Sequence, residues 1–160
     1  MITALDESMA ESVHRISLDA DNRRFVPDEV FETVDAARET IAALRAFYTQ
    51  EDSPLVYAIL LNDGQYIGHI QAAPIDGGWE IGYHIGKAHT GNGYAAEAVG
   101  AFLNPIMERL GISQIVGVCR ADNMASRRVL EKCGFVLEFS GEGEYHGERR
   151  EICRYAFSTE

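Results

Sequence analysis

Gly91, Asn92 and Gly93 stand directly ahead of a segment with the spacing of an amphipathic helix, in HTGNGYAAEAVGAFL over residues 89–103. A glycine-containing turn that feeds a helix lets consecutive backbone N–H groups approach an anion closely, and the helix N-terminus adds partial positive charge. The ligand that suits such a turn is a phosphate or pyrophosphate; a turn that only connects two elements is the competing reading. Just upstream, WEIGYHI (79–85) reads as a strand. Its alternation puts Glu80, Gly82 and His84 on one face and Trp79, Ile81, Tyr83 and Ile85 on the other. Two side chains able to take a proton thus lie beside a candidate anion loop.

These groups need elements to hold them. Asp28–Thr49 reads as a helix through Phe31, Val34, Ile41, Leu44 and Phe47, and Ser8–Leu18 as an earlier one. From Leu55 the period changes. LVYAILL (55–61), YIGHIQA (66–72) and WEIGYHI, separated by turns at NDGQ and DGG, predict an antiparallel meander of three strands. Val99, Phe102, Leu103, Ile106, Met107 and Leu110 lie on one face of the next helix, which Pro105 is expected to kink and Gly111 to end. IVGVC (115–119) reads as a buried strand. Asn123 caps a helix running to Gly134, and Phe135–Phe139 with Arg150–Phe157 form a closing pair around GEGEYHGE. The sum is one mixed α/β sheet flanked by helices, a single domain over residues 1–160.

That order argues against a dinucleotide fold. Gly91, Gly93 and Ala96 match G-x-G-x-x-A, but an antiparallel meander precedes them, and the 37 residues after Asn123 are too few for a doubly wound half. No Gly-Lys-Ser/Thr occurs, which excludes a Walker loop.

The net charge of −11 argues against a nucleic-acid partner. Residues 1–63 hold 13 acidic and 5 basic side chains, whereas Arg120–Lys132 hold 2 acidic and 4 basic. The contrast suggests a cationic ligand on one side and an anionic one on the other, with solvated faces as the alternative. No apolar run approaches the roughly 18 residues of a membrane span. The first residues, MITALDESMAESVHR, are acidic and polar, so the expected setting is cytoplasmic with no membrane partner. Cys119, Cys133 and Cys153 have no metal-ligand spacing and are expected to be inert thiols.

Thr90-Gly91-Asn92-Gly93-Tyr94-Ala95 resembles the acetyl-coenzyme A loop of the GNAT superfamily of N-acetyltransferases, Gln/Arg-x-x-Gly-x-Gly/Ala, departing from it at Thr90. About thirty residues on, Asn123–Phe135 (NMASRRVLEKCGF) resembles the family's Asn-x-x-Ser/Ala helix ending in Gly-Phe, and EIGYHI resembles its pantetheine-pairing strand. The resemblance covers roughly residues 54–157. Within the superfamily these phrases look most like the branch that acetylates N-terminal (alanine) amines of ribosomal proteins, whose relatives also act on polyamines and antibiotics. The resemblance implies an acyl-CoA N-acyltransferase fold with a mostly antiparallel central sheet, acceptor-side helices over about 1–50 and a cofactor core over about 54–157. It implies acetyl-CoA as donor co-substrate, held by Tyr83, Ile85, Thr90, Gly91, Asn92, Gly93, Tyr94, Ala95, Asn123 and Ser126, and dimers are common among such proteins.

Acetyl transfer from a thioester to an amine needs a neutral nitrogen, an oriented carbonyl, oxyanion stabilisation and a proton for the departing thiolate. At pH 7 a lysine-like amine of pKa about 10.4 is neutral only about four times in ten thousand, an α-amine of pKa about 7.8 roughly one time in seven. A general base matters far more for the first. Glu80 is the leading base, against the reading of an exposed surface glutamate. His84 is the second, on a pKa expected near neutrality, against that of an ordinary strand histidine. His69, His89 and His146 rank lower, and Tyr145 reads first as a turn residue. The resemblance puts the thiolate's proton donor at position 130 in many members, here Leu130, and at Ser126 in the ribosomal-protein-like branch; helix capping competes for Ser126. Arg127 and Arg128 face solvent or reach phosphate. The departures at Thr90 and Leu130 keep a second function open, a protein that binds acetyl-CoA without turnover. The acceptor amine is a protein N-terminus or a small molecule, cationic if the acidic first half faces it.

Overall fold

The computed structural model describes residues 1–159. Its strands are β1 (Ile2–Ala4), β2 (Leu55–Leu60), β3 (Tyr66–Ile75), β4 (Gly78–Ile85), β5 (Gln114–Arg120), β6 (Val136–Tyr145) and β7 (Glu148–Ser158). Its helices are α1 (Ala10–Ser17), α2 (Ala20–Phe25), α3 (Val34–Ala46), α4 (Tyr94–Leu110) and α5 (Met124–Lys132). The strands form one sheet in the order β1-β2-β3-β4-β5-β7-β6, antiparallel throughout except where β4 meets β5. This is the mixed, mostly antiparallel class expected, with the meander in place.

Strand alternation divides the core between two faces. Val56 and Ala58 point to one, where they pack with Ala10 of α1, Ala37 and Ile41 of α3, and Tyr66. Leu55, Ile59, Ile70, Ala72, Ile81 and Ile85 point to the other, beneath Val99, Phe102, Leu103, Ile106 and Met107 of α4 and Leu130 of α5. Burying each of the larger aliphatic side chains stabilises the fold by about 1.5–3 kcal/mol. That suffices to carry α4 unbroken through Pro105, which sits on its exposed face, to a left-handed Gly111. The expected kink does not interrupt the helix.

Three other boundaries differ from expectation, each for a local reason. Thr33 accepts a hydrogen bond from the Ala36 amide and so caps α3 five residues later than Asp28, leaving Pro27–Glu29 as a separate 3-10 turn. The unforeseen α2 (ADNRRF) and three-residue β1 are too short to show a hydrophobic period. The glycine-rich GEGE is strand, not loop. Gly143 lies where a Cβ would fall 2.4 Å from Ile152 Cδ1, so a missing side chain lets β6 lie against β7. The hairpin closes on His146 and Gly147 alone, both left-handed (φ 48° and 78°), the requirement of a two-residue type I′ turn.

Candidate active site

The site originates in a defect of strand pairing. β3 and β4 stay in register from Gly68↔Ile85 to Ile75↔Gly78, whereas β4 and β5 meet at the single pair Glu80↔Val116. Past Glu80 the two strands diverge, and the β4 backbone on that side has no ladder partner. A cavity of about 540 Å³ fills the gap, walled by α2, β4, the turn before α4, β5, α5 and the β6–β7 hairpin. Its lining takes residues from both faces of β4, Glu80, Gly82 and His84 from one and Ile81, Tyr83 and Ile85 from the other.

At one end Gly91 and Gly93 each take φ 80°, Gly93 serving as the cap of α4. A Cβ at either position would meet no protein atom within 4 Å. The protein itself does not crowd these glycines; the space in front of them is open. Thr90 Oγ1 donates to the Lys87 carbonyl at 2.9 Å, and Asn92 Nδ2 to the His89 and Thr90 carbonyls at 3.1 and 3.3 Å. These bonds hold the turn in shape. Thr90, Gly91, Gly93, Tyr94 and Ala95 line the cavity, as do Lys87, Arg128 and Lys132. Asn92, expected as a cofactor ligand, is not in the lining; its side chain braces the turn from behind.

On the α5 side, Asn123 Oδ1 accepts the Ser126 amide at 3.2 Å, so the expected cap is present and its Nδ2 is left for another partner. Tyr83 donates its hydroxyl proton to the Ser126 carbonyl at 3.1 Å, and burial pushes the Tyr83 phenol well above its ordinary pKa. This fixes the Ser126 backbone beside the cavity. The two arginines, alike in sequence, separate here. Arg127 Nε donates to Tyr155 Oη at 3.2 Å, and that hydroxyl donates to Glu131 at 2.8 Å, whereas Arg128 borders the cavity.

The opposite face carries the acid–base groups. Burial raises the Glu80 carboxyl above its ordinary pKa, with His146 and Arg154 acting against the rise. Such a group is the better proton acceptor near neutral pH. His84 moves the other way: burial, then the neighbouring His69, lower it to about 4. The near-neutral pKa expected of His84 is therefore corrected. It is an uncharged imidazole at pH 7, and its buried Nε2 has no hydrogen-bond partner. His69 holds Glu29 at 3.0 Å; burial works to raise the Glu29 carboxyl, but the His69 charge and hydrogen bond outweigh it and the pKa is lowered.

Tyr145 and His146, ranked low from sequence, are both cavity walls. Their rings lie edge to face with centroids 4.4 Å apart, and His146 Nδ1 reaches Asp28 Oδ2 at 2.7 Å. The signal that could have found them is the His-Gly pair, because a two-residue turn at that place carries Tyr145 to the tip of a long hairpin. Among the described residues no cluster of His, Cys, Asp and Glu could hold a metal ion, all three cysteines are free, and no helix is long and apolar enough to cross a membrane.

Residues 1–136 match the acetyltransferase (GNAT) domain family. The chain belongs to this family. It is 40% identical over 58 residues to the uncharacterized N-acetyltransferase YjdG of Bacillus subtilis, a match spanning 36% of this chain and 34% of that protein. Over 133 residues it is 27% identical to YnaD of the same organism, covering 80% of this chain and 74% of that protein. In fold it superposes on RimL, a ribosomal L7/L12 alpha-N-protein acetyltransferase solved in complex with coenzyme A, with a TM-score of 0.83 and 24% identity over 98% of this chain and 92% of that one. Acetyl-coenzyme A is the donor co-substrate of GNAT acetyltransferases, and the site suits it. Two left-handed glycines with open space before them, the free N–H groups at the start of α4 and three nearby cations are features that an anion such as a pyrophosphate requires. The unpaired edge of β4 suits an amide-bearing arm.

Proposed function

We propose that this GNAT protein transfers the acetyl group of acetyl-CoA to a primary amine by direct attack, the two substrates approaching from opposite faces of the β4–β5 gap. The observation that carries this reading is the cavity itself, which brings Glu80 of one face and Ser126 of the other to a common space. Gly91, Gly93, Tyr94 and Ala95 hold the phosphates by backbone N–H groups, the Tyr83–Ile85 backbone and Asn123 Nδ2 hold the pantetheine arm, and Arg128 adds charge. Bound acetyl-CoA supplies a thioester carbonyl open to attack. Glu80 takes the proton from the incoming amine, directly or through water. Ser126 is the hydroxyl placed to return a proton to the sulfur, since Leu130 is buried in the core and has none to give. His84, neutral at pH 7, forms the wall between.

The acceptor is a cationic amine, a protein N-terminus or a small molecule. Asp19, Asp21 and Glu29 from the acidic first half line the cavity, Asp19 accepting the Lys87 amide and Glu29 holding His69, and a carboxylate-lined approach favours a positively charged visitor. A cytoplasmic setting and a single domain belong to the same proposal. The test is thiol release from acetyl-CoA with N-terminal peptides, lysine peptides, polyamines, amino acids and aminoglycosides, alongside calorimetric cofactor binding. Release with at least one cationic amine is expected. Tight binding with no release from any of them would turn the reading to a cofactor-binding protein.

A further inference from the structure

Gln71 lies at the centre of β3, paired in register with Gly82 of β4. A Cβ built on Gly82 would fall 2.8 Å from Gln71 Nε2 and 3.1 Å from its Cγ. The Gln71 side chain therefore lies over the Gly82 backbone, in the place where a side chain of β4 would otherwise stand. That place is the middle of the row Glu80, Gly82, His84, on the face that we assign to the acceptor, and Gln71 lines the cavity there. Its amide bonds to no other group among the described residues, although a side-chain amide offers two donors and a carbonyl acceptor. Gln71 is half-buried, so its amide is left to solvent or to a partner inside the cavity.

The chemistry of the reaction supplies one. A primary amine attacking a carbonyl carbon must aim its lone pair forward, which turns its N–H bonds back toward the wall behind it. Holding that orientation takes hydrogen-bond acceptors behind the nitrogen. Glu80 is one, and the one that receives the proton. We propose that the Gln71 amide oxygen is the second, binding the other N–H of the acceptor, and that the bare backbone at Gly82 exists to make room for it. Gln71 neither gains nor loses a proton. It selects primary amines, with two N–H bonds once neutral, over secondary amines with one. This assignment rests on the proposed function, with the amine entering on the Glu80 face.

The experiment uses the amine that gives thiol release with the unaltered protein, together with its N-methyl derivative, on the Gln71→Leu and Gly82→Ala variants. Gln71→Leu should lower kcat/KM for the primary amine about tenfold and for the N-methyl amine much less, so that the preference between them collapses. Calorimetric affinity for coenzyme A should stay within about twofold of the unaltered value, because the cofactor is held elsewhere. Gly82→Ala should act in the same direction by pushing the amide aside, which keeps the test available if the leucine variant folds poorly. Equal losses for the two amines, or no loss for the primary one, would overturn the assignment. Absence of thiol release from every amine with the unaltered protein would instead overturn the proposed function, and this inference with it.

Discussion

Replacing Gly93 by alanine separates two effects that the structure allows to be counted independently. Gly93 has φ 80°, a left-handed conformation that costs a residue bearing a Cβ about 1–2 kcal/mol. No protein atom lies within 4 Å of the added carbon, so no clash contributes. For a chain of this size about 1 kcal/mol corresponds to roughly 2–4 °C in Tm, and a fall of about 2–8 °C is expected. Cofactor binding should suffer more. If a methyl group in the open space makes the phosphate stand back from one backbone N–H, a charge-assisted hydrogen bond worth about 1.5–3 kcal/mol is lost, or about ten- to a hundredfold in Kd. Gly93→Asn tolerates the left-handed backbone better and should recover part of the Tm but none of the affinity. Gly77 provides the control: its φ is 78°, its Cβ position is equally open, and it lies in the β3–β4 turn away from the cavity. Gly77→Ala should lower Tm by a similar amount and leave calorimetric coenzyme A affinity unchanged. Unaltered affinity in both Gly93 variants, or an equal loss in Gly77→Ala, would refute phosphate binding at this turn.

Glu80→Gln should cut kcat/KM about a hundredfold or more near pH 7, with the deficit shrinking as pH approaches the acceptor's own pKa and the amine becomes neutral unaided; a ratio that does not vary with pH removes Glu80 as the base. Arg128→Ala should weaken coenzyme A binding and flatten its salt dependence, whereas Arg127→Ala, which breaks the Tyr155–Glu131 network, should lower Tm and spare affinity; the reverse result would exchange their roles. His84 should contribute to the acid sensitivity of the fold. Its folded pKa of about 4 lies below the ordinary 6.5, so the unfolded chain takes up a proton first, and the stability present above pH 6.5 is lost as pH falls toward 4. With Asp19, Asp21, Glu29 and His69 facing it, the loss amounts to about 3 kcal/mol. Denaturant unfolding of His84→Phe at pH 7 and pH 4.5 should show a flatter acid limb than the unaltered chain; an equally steep limb would assign that sensitivity elsewhere.

What sequence reveals of this site follows how locally each feature is determined. A positive φ ahead of a helix demands glycine, so Gly91 and Gly93 are visible as residue types. The Asn123 cap acts over three residues, and strand alternation sorts Glu80 from Tyr83 without any knowledge of the partner strand. The environment of those same side chains is not local. His84 reads as a near-neutral histidine until the fold buries it and the β3–β4 register puts His69 opposite it, and the low pKa follows from burial first and from that neighbour second. The Glu29–His69 pair joins a 3-10 turn to a strand forty residues away, a separation that no periodicity carries.

The parting of β4 and β5 belongs to the same class of hidden feature, and it explains why both faces of one strand matter. In a fully paired sheet Glu80 and Ser126 would be separated by a hydrogen-bonded layer, and a reaction needing a proton removed on one side and returned on the other would have no common space. With pairing reduced to Glu80↔Val116, the β4 backbone becomes the wall of a passage. Residues of either parity then reach the same cavity: Glu80 and His84 from one face, Ile81, Tyr83 and Ile85 from the other. The acidic bias of the first half meets the same cavity, because the cap of α2, α2 itself and the turn after it bring Asp19, Asp21 and Glu29 into a lining that also holds Arg128 and Lys132. Carboxylates and cations thus share one cavity, with Asp19 accepting the Lys87 amide at 2.7 Å beside the glycine turn.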